Sequence, residues 1–272
     1  MRDRLEGHLS VRHQTLESAD SATKSDGTQA IRRAASILKY VAGRPTNGAT
    51  LREISEAIQL SRSTAHRILK CLVHEQLLAQ SDDAKRYAMG DLTLELGLAA
   101  KTLQKAILDW RAVVEDLARD TGVTVYLVGR SGNESVILDA VHGSSVVRVI
   151  PVEVGQRRPL GLGAGATALL ASMSEEECEQ TVASIEQHLH RHSSVKAGTI
   201  RENVRRARET GFAESLGVVA EGIFGLGVAI PARRGPALLA LSLAAHASVV
   251  TDEKIAAWKR YLSQAVHRAG PR

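Results

Sequence analysis

Only Gln59 and Leu60 separate two helical patterns in the stretch TLREISEAIQLSRSTAHRILKCL, and no other feature limits the fold as tightly. The first pattern opens with Thr50 and Glu53 at capping-box spacing and lines Leu51, Ile54 and Ile58 along one face. The second follows Ser61, an N-cap residue, and sets Ala65, Ile68, Leu69 and Leu72 at the i, i+3, i+4, i+7 interval of an amphipathic helix. Its opposite face carries Arg62, Ser63, His66, Arg67 and Lys70 with no carboxylate among them. Two helices joined by so brief a turn, the second basic on its outer face, read as a helix-turn-helix.

The flanks extend this unit. Upstream, TQAIRRAASILKYVAGRP places Ile31, Ala34, Ala35, Leu38 and Val41 on one face of a first helix, with Gly43 and Pro45 as its stop. Downstream, LLAQSDDAKRYAM sets two short runs around SDDA, a hairpin whose return run carries Lys85, Arg86 and Tyr87. Three helices and a hairpin predict a winged helix-turn-helix over residues 27–90. A recognition helix presents its N-terminal residues to base edges in the major groove while cations and hydroxyls grip phosphates. Ser61, Arg62, Ser63, Thr64, His66 and Arg67 are the candidates for that contact, with Arg86 anchoring the DNA backbone. A solvated helix face would account for the charges alone, but not for the order of elements around them.

Charge distribution agrees. Residues 27–90 hold 10 Lys and Arg against 5 Asp and Glu, whereas residues 91–272 hold 21 against 20, so the chain's net charge of +5 is concentrated in the short segment. A basic module joined to a near-neutral one suits a polyanion reader coupled to something else. At 272 residues two domains are expected. No apolar run approaches the roughly 18 residues of a membrane span. Residues 1–26 mix charge, Ser and His without the apolar core of a signal peptide and are read as a disordered tail, which predicts a cytoplasmic protein. Two distant cysteines, Cys71 and Cys178, make neither a disulfide framework nor a zinc site, and Cys71, beside Leu72, is expected to be packed.

From Asp91 the apolar spacing changes. Leu92, Leu96, Ala99, Leu103, Ala106 and Trp110 follow a heptad rhythm that predicts a linker helix over residues 91–110, pairing with a second copy or packing on its own chain. Pairing is favoured, because a single winged helix contacts little DNA and dimers read two half-sites. Residues 111–272 read as a mixed α/β (α+β) domain. WRAVVEDLARDTG is helical; VTVYLVGR, SVILDAV and VVRVIPVEVG are strands joined by hairpin-length turns, which implies an antiparallel sheet. Helices follow in GAGATALLASM, in SEEECEQTVASI with a Ser174/Glu177 box and in TIRENVRRARETG with a Thr199/Glu202 box; strands resume at FGLGVAIP and ALLALSLAA, and TDEKIAAWKRYLSQAV closes the chain with Ile255, Trp258 and Leu262 in register.

With these segments in view, the sequence resembles the IclR family of bacterial transcriptional regulators over residues 28 to about 268. The resemblance is carried by TQAIRRAASIL, LREISEAIQLSRSTAHRILKCLVHEQLL, RYAMGDLTLELG, VGQRRPLGLGAGATALLA and RETGFAES in that order. It implies a C-terminal GAF-like, effector-binding domain with an antiparallel sheet and flanking helices, a dimer or tetramer, double-stranded operator DNA as partner, and repression or activation of a neighbouring operon. It also implies that the family's early arginine, here Arg33, touches DNA outside the recognition helix. By the same resemblance the small-molecule site takes Ala164 and Gly165 from the glycine-rich loop, Ser215 at a position commonly acidic, Gly225 where a cysteine is frequent, and Ser242 with Ala244 two residues on. Losing a carboxylate, a thiol and a hydroxyl argues against a very small, polar acid, and Gly225 and Ala244 would free volume for a bulkier, apolar or aromatic effector.

Rival readings are weaker. GLGAGA at 161–166 formally fits a dinucleotide loop and so an enzyme, but RRPL precedes it instead of a buried parallel strand, and no acidic residue ends a second strand about 20 residues on. His188, His190 and His192 suggest a metal only if they share a strand face, and a helix running into a loop would make them diverge. No G-x-S-x-G elbow is present. A regulator whose second domain only dimerises is the remaining alternative. No cofactor is expected.

Overall fold

The structure is a computed structural model that describes residues 26–81, 83–145, 152–189, 195–232 and 235–269. The tail expected before residue 26 lies outside the described residues, as do His190, His192 and the side chain of His188.

The N-terminal unit comprises α1 (Asp26–Ala42), β1 (Ala49–Thr50), α2 (Leu51–Ile58), α3 (Arg62–His74), β2 (Leu78–Gln80) and β3 (Arg86–Met89). Thr50 caps α2 with the full reciprocal box to Glu53, and Gln59 closes it in the left-handed region at φ 57°. Ile37, Val41, Ile54, Leu69, Leu72, Leu78 and Tyr87 form one core. The wing is wider than the hairpin read from sequence, because β1 pairs with β3 to make a three-stranded sheet of order β1-β3-β2. Three side-chain placements differ from expectation. Ile31 is 70% exposed and Ala35 is exposed as well, while Ile37 holds a core position, since the exposed run Thr28 to Arg32 precedes the part of α1 that packs. Cys71 is exposed on α3 and not packed.

The linker is two helices instead of one. Segment α4 (Asp91–Ala99) stops at Ala100, whose φ of −81° and ψ of 64° leave the helical region, and α5 runs from Lys101 to Thr121. The heptad reading assumes a single partner for the whole seam. Leu92 instead donates its backbone N–H to Gln76 of the winged unit at 3.2 Å, while Trp110 is buried in the C-terminal domain with Val114 and Leu117. Each half of the seam follows the domain on which it packs, and the joint falls between them.

The C-terminal domain contains β4 (Thr124–Ser131), β5 (Glu134–Val141), β6 (Arg157–Pro159), α6 (Ala164–Ala171), α7 (Glu175–Leu189), α8 (Ala197–Thr210), β7 (Ala213–Leu216), β8 (Ile223–Ile230), β9 (Leu239–His246) and α9 (Asp252–Ala269). Its strands form one antiparallel sheet of order β6-β5-β4-β9-β8-β7. Side chains alternate across it. Val125, Leu127, Leu241 and Leu243 face α5 and α9, where Trp258 and Leu262 complete the layer; Tyr126, Val128, Ala240 and Ala244 face α6, α7 and α8. Of the strand expected at VVRVIPVEVG, residues 146–151 lie outside the described residues, and Val152–Gly155 forms a turn before β6. The helix predicted from Thr199 begins at Ala197 with Lys196 as N-cap, and Glu202 pairs with Arg205 at 2.8 Å and Arg206 at 2.7 Å instead of capping.

Helix α6 lies against the sheet with almost no gap. A Cβ on Gly227 would meet the Ala164 carbonyl carbon and oxygen at 2.7 Å and the Gly165 nitrogen at 2.8 Å, so only glycine permits this approach. Arg208 on α8 donates to the Ala171 and Met173 carbonyls at 3.1 and 3.0 Å, a cation placed at the helix end that favours it. Gly227→Ala is expected to destabilise the C-terminal domain by about 1–3 kcal/mol through overpacking, seen as a melting point several degrees lower. Gly97→Ala in α4, where nothing lies within 4 Å of the new Cβ, is expected to leave it equal or higher.

Candidate functional sites

Residues proposed to read DNA gather at one end of α3. Ser61 is its N-cap: its hydroxyl accepts from the Thr64 backbone N–H at 3.2 Å, and also lies 3.1 Å from the Ser63 hydroxyl and 2.9 Å from that of Thr64. Part of this hydroxyl cluster therefore fixes the helix start and aims the residues after it. Arg62, Ser63, His66, Arg67 and Lys70 are exposed on the outer face, and Arg62, Arg67 and Lys70 make no ion pair among the described residues. Arg33 is half-buried on α1. Arg86 is held differently. Its guanidinium donates to the Asn47 and Gly48 carbonyls and pairs with Glu53 at 3.2 Å, which ties the wing to the start of α2.

Beside the start of α6, where it meets the sheet, lies a cavity that opens in part to solvent. All six residues carried over from the family resemblance, Ala164, Gly165, Ser215, Gly225, Ser242 and Ala244, line it. Strand register brings them together: Ser215, Gly225 and Ala244 stand opposite one another across β7, β8 and β9, while Ser242 is flanked by Gly227 and Tyr126. One expectation changes. A Cβ on Gly225 would stand 2.7 Å from the Ser215 hydroxyl, so that glycine makes room for the serine.

Sequence reading misses the cavity's strongest polar groups. Tyr126 is 3% exposed and its hydroxyl has no hydrogen-bond partner among the described residues. Burial pushes the phenol far above its ordinary range, so it stays protonated. Arg158 lines the same wall, and burial pulls its pKa down, opposed by its interaction with Tyr126. The signal is RRPL. On a strand adjacent residues face opposite ways, and Arg157 turns outward to Glu134 at 2.9 Å while Arg158 lines the cavity. The glycine loop after it follows an antiparallel edge strand, unlike the central parallel strand of a dinucleotide-binding unit.

Val152 and Gln156 line this cavity and also a second cleft, whose other wall is Arg44, Asn47, Gly48 and Arg86 of the winged unit. Thr46 donates to Glu153 at 3.0 Å across it, and Gly155 leaves room for the Ala42 carbonyl, 3.0 Å from where a Cβ would stand.

A winged helix joined to a domain with a cavity on its helix-covered antiparallel sheet is the architecture of a DNA-binding regulator. Comparison with known proteins gives the family. The IclR helix-turn-helix domain matches residues 30–82, and the domain described as bacterial transcriptional regulator IclR C-terminal matches residues 104–269. The chain is 27% identical over 216 residues to the HTH-type transcriptional regulator Rv1719 of Mycobacterium tuberculosis, covering 79% of this chain and 82% of that one. Among solved structures, an IclR transcriptional regulator from Alicyclobacillus acidocaldarius superposes with a TM-score of 0.70 at 23% identity, covering 89% of this chain and 97% of that one. An IclR homologue from Microbacterium hydrocarbonoxydans, complexed with 4-hydroxybenzoate, does so with a TM-score of 0.67 at 19% identity and the same coverages. This chain belongs to the IclR family of transcriptional regulators. Among the described residues no helix is long and apolar enough to cross a membrane.

The clasp at the wing carries a pH dependence. The Thr50 backbone N–H, then the Thr50 hydroxyl and the Arg86 guanidinium, hold Glu53 below the usual carboxylate range. A lowered folded-state pKa stabilises fully above the ordinary value of 4.5, and that stabilisation disappears as pH falls through the folded value. The melting temperatures of wild type and Glu53→Gln are expected to differ most near neutral pH and to converge below pH 4.5.

Proposed function

We propose that this regulator is a cytoplasmic homo-oligomer that binds a roughly palindromic operator and releases or tightens its hold when a small organic molecule occupies the sheet cavity. Ser63, Thr64, His66, Arg62 and Arg67 would meet base edges and phosphates from the start of α3, with Ser61 holding that start and Arg33 reaching the backbone. Arg86 would shape the wing through Glu53 and meet phosphate only with whatever hydrogen-bonding capacity that leaves. The observation that carries ligand control is the double role of Val152 and Gln156, which line both the cavity and the cleft against the winged unit. A ligand that moves this segment changes how the winged unit sits. Such coupling is reciprocal, so operator DNA alters effector affinity by the same factor. The 4-hydroxybenzoate bound by the Microbacterium homologue supports an organic acid of aromatic size here.

Pairing is assigned to α4. Leu94 and Leu98, one turn apart on one face, are 67% and 57% exposed, while Leu96, also exposed, points to another face. A second copy of the chain would cover this apolar face and set two recognition helices about one DNA turn apart. Leu94→Glu with Leu98→Glu is expected to yield a monomer by light scattering and to weaken operator binding, with both domains still folded. An unchanged oligomer would assign pairing elsewhere.

Fluorescence anisotropy on duplex DNA from upstream of the chain's own gene, against a scrambled duplex at physiological salt, tests the central reading. A preference of roughly a thousandfold is expected. Equal, salt-sensitive binding to both duplexes would count against an operator at that position. In the same assay Arg67→Ala is expected to cost about 1–3 kcal/mol and relax preference at one base pair if Arg67 reads a base. Uniform weakening across sequences would place it on phosphate.

A further inference from the structure

Two connections join the winged unit to the C-terminal domain, and they differ in kind. The first is the chain. Gly90 lets α4 start against the Gln76 carbonyl, where a Cβ would collide, and Leu92 donates its N–H to that carbonyl, so α4 moves with the winged unit. Trp110, Val114 and Leu117 fix α5 in the other domain. Between the two anchored helices, Ala100 leaves the helical region and Gly97 has nothing within 4 Å of its Cβ position. Rotation costs least at such an element-terminal break.

The second connection is a contact between two stiff turns. In one, the Gln156 side chain accepts from the Glu153 backbone N–H at 3.1 Å, and the Gln156 N–H donates to the Glu153 carbonyl at 3.0 Å. Ile137 of β5 holds this turn to the sheet, accepting from the Gly155 N–H at 2.8 Å and donating to the Gln156 carbonyl at 3.0 Å. The facing turn follows α1. Its Gly43, Arg44 and Gly48 N–H groups are bonded to the Lys39, Val41 and Arg44 carbonyls, and the Arg44 guanidinium lies 3.7 Å over the Tyr40 ring. The turns meet at two points, the Thr46 hydroxyl on Glu153 at 3.0 Å and the Ala42 carbonyl in the space that Gly155 leaves.

This contact is built to open. Thr46 and Glu153 are exposed, and the cleft beside them sets Arg44 and Arg86 on the winged side against Glu153, the one carboxylate among its described lining residues. Val152 is the one apolar side chain there. Small polar interfaces leave domains free to move, whereas large apolar ones do not. Stiffness on both sides means that a shift of one turn is passed on instead of absorbed. Ile137, Val152 and Gln156, which place the first turn, also line the sheet cavity.

We propose that residues 153–156 form a latch: Glu153 and Gly155 hold the winged unit in one orientation about Ala100, and displacement of Ile137, Val152 or Gln156 at the cavity wall frees it. The latch is a property of the ligand-free chain; only the signal that opens it rests on the ligand-control reading.

Pulsed electron spin resonance tests the latch without DNA or ligand. Nitroxides at Lys39→Cys and Glu175→Cys, both exposed positions, are introduced with Cys71→Ser while Cys178 stays buried, and labelled chain is diluted into unlabelled chain to silence distances between copies. One narrow distance distribution is expected, broadened by Glu153→Ala and by Gly155→Ala. Glu153→Gln, which keeps an acceptor for Thr46, is expected to restore it in large part. Gly132→Ala carries the same left-handed backbone with nothing within 4 Å of the new Cβ, and is expected to leave the distribution narrow. Melting temperature reports whether each variant folds. For the hold on DNA, Thr46→Cys with Glu153→Cys, again with Cys71→Ser, is either bridged by a short bismaleimide or capped at both thiols by N-ethylmaleimide. Anisotropy is then read on the duplex that wild type selects from a random pool. Bridged and capped proteins are expected to differ in affinity at least about fivefold, the lower end of ordinary coupling between sites.

A wild-type distribution as broad as that of Glu153→Ala, or a Glu153→Ala distribution as narrow as wild type, would overturn the latch, and equal affinity of the bridged and capped proteins would overturn its hold on the winged unit. Ligand control fails separately. A latch that passes both tests while operator affinity ignores every molecule placed in the cavity stands without a signal, whereas a ligand response that survives in Glu153→Ala with Gly155→Ala keeps ligand control and ends the latch as its route.

Discussion

The near-contact between Gly227 and the first turn of α6 sets the geometry of the C-terminal domain. Because no side chain separates strand from helix there, the Ala164 and Gly165 backbone lies directly on the sheet. The loop before it must turn sharply to arrive, with Gly161 and Gly163 both at positive φ, a conformation that other residues adopt only at a cost. Toward β4 the approach is equally tight, with a Cβ on Gly165 only 2.8 Å from the Val128 side chain. The cavity lies beside this contact and takes Ala164, Gly165 and Val128 into its lining.

Period-two alternation gives that cavity its lining. On β9 the residues facing α5 and α9 are Leu241 and Leu243, which fill space, while those facing α6 are Ala240, Ser242 and Ala244, which leave it. One strand thus supplies a close-packed core on one face and a hollow on the other. The same alternation at β6 turns Arg157 toward Glu134 and Arg158 into the cavity wall.

The local signals of the winged unit are legible in the amino-acid sequence, whereas the Thr199/Glu202 spacing reads as a capping box and forms none. In the winged unit the Thr50–Glu53 box and the Ser61 cap are visible in a few residues and form as read. The six cavity residues are located through resemblance and meet in space, although nothing in their spacing alone predicts it, since β7, β8 and β9 are joined through register that a linear pattern does not display. Elements whose form depends on a partner read wrongly. The heptad seam from Leu92 to Trp110 looks continuous because its apolar rhythm is continuous, yet its two ends belong to different domains. Strand β1 is two residues long and exists only because β3 lies beside it. Tyr126 and Arg158 escape notice because a tyrosine in a strand and an arginine in a basic pair are ordinary until a cavity opens beside them.

The shared segment at Val152 and Gln156 has a consequence for how such a protein diversifies. Residues at the β7 end of the cavity, such as Ser215 and Ala244, line it without lining the cleft against the winged unit, so under the proposed ligand control exchange there would retune what is recognised and leave the response intact. Exchange at Val152 or Gln156, which line both, would alter recognition and response together. A lineage acquiring new signals through the first set would keep a working switch at every step, whereas drift in the second would yield proteins that bind a molecule and ignore it, or that hold one state whether or not the molecule is present.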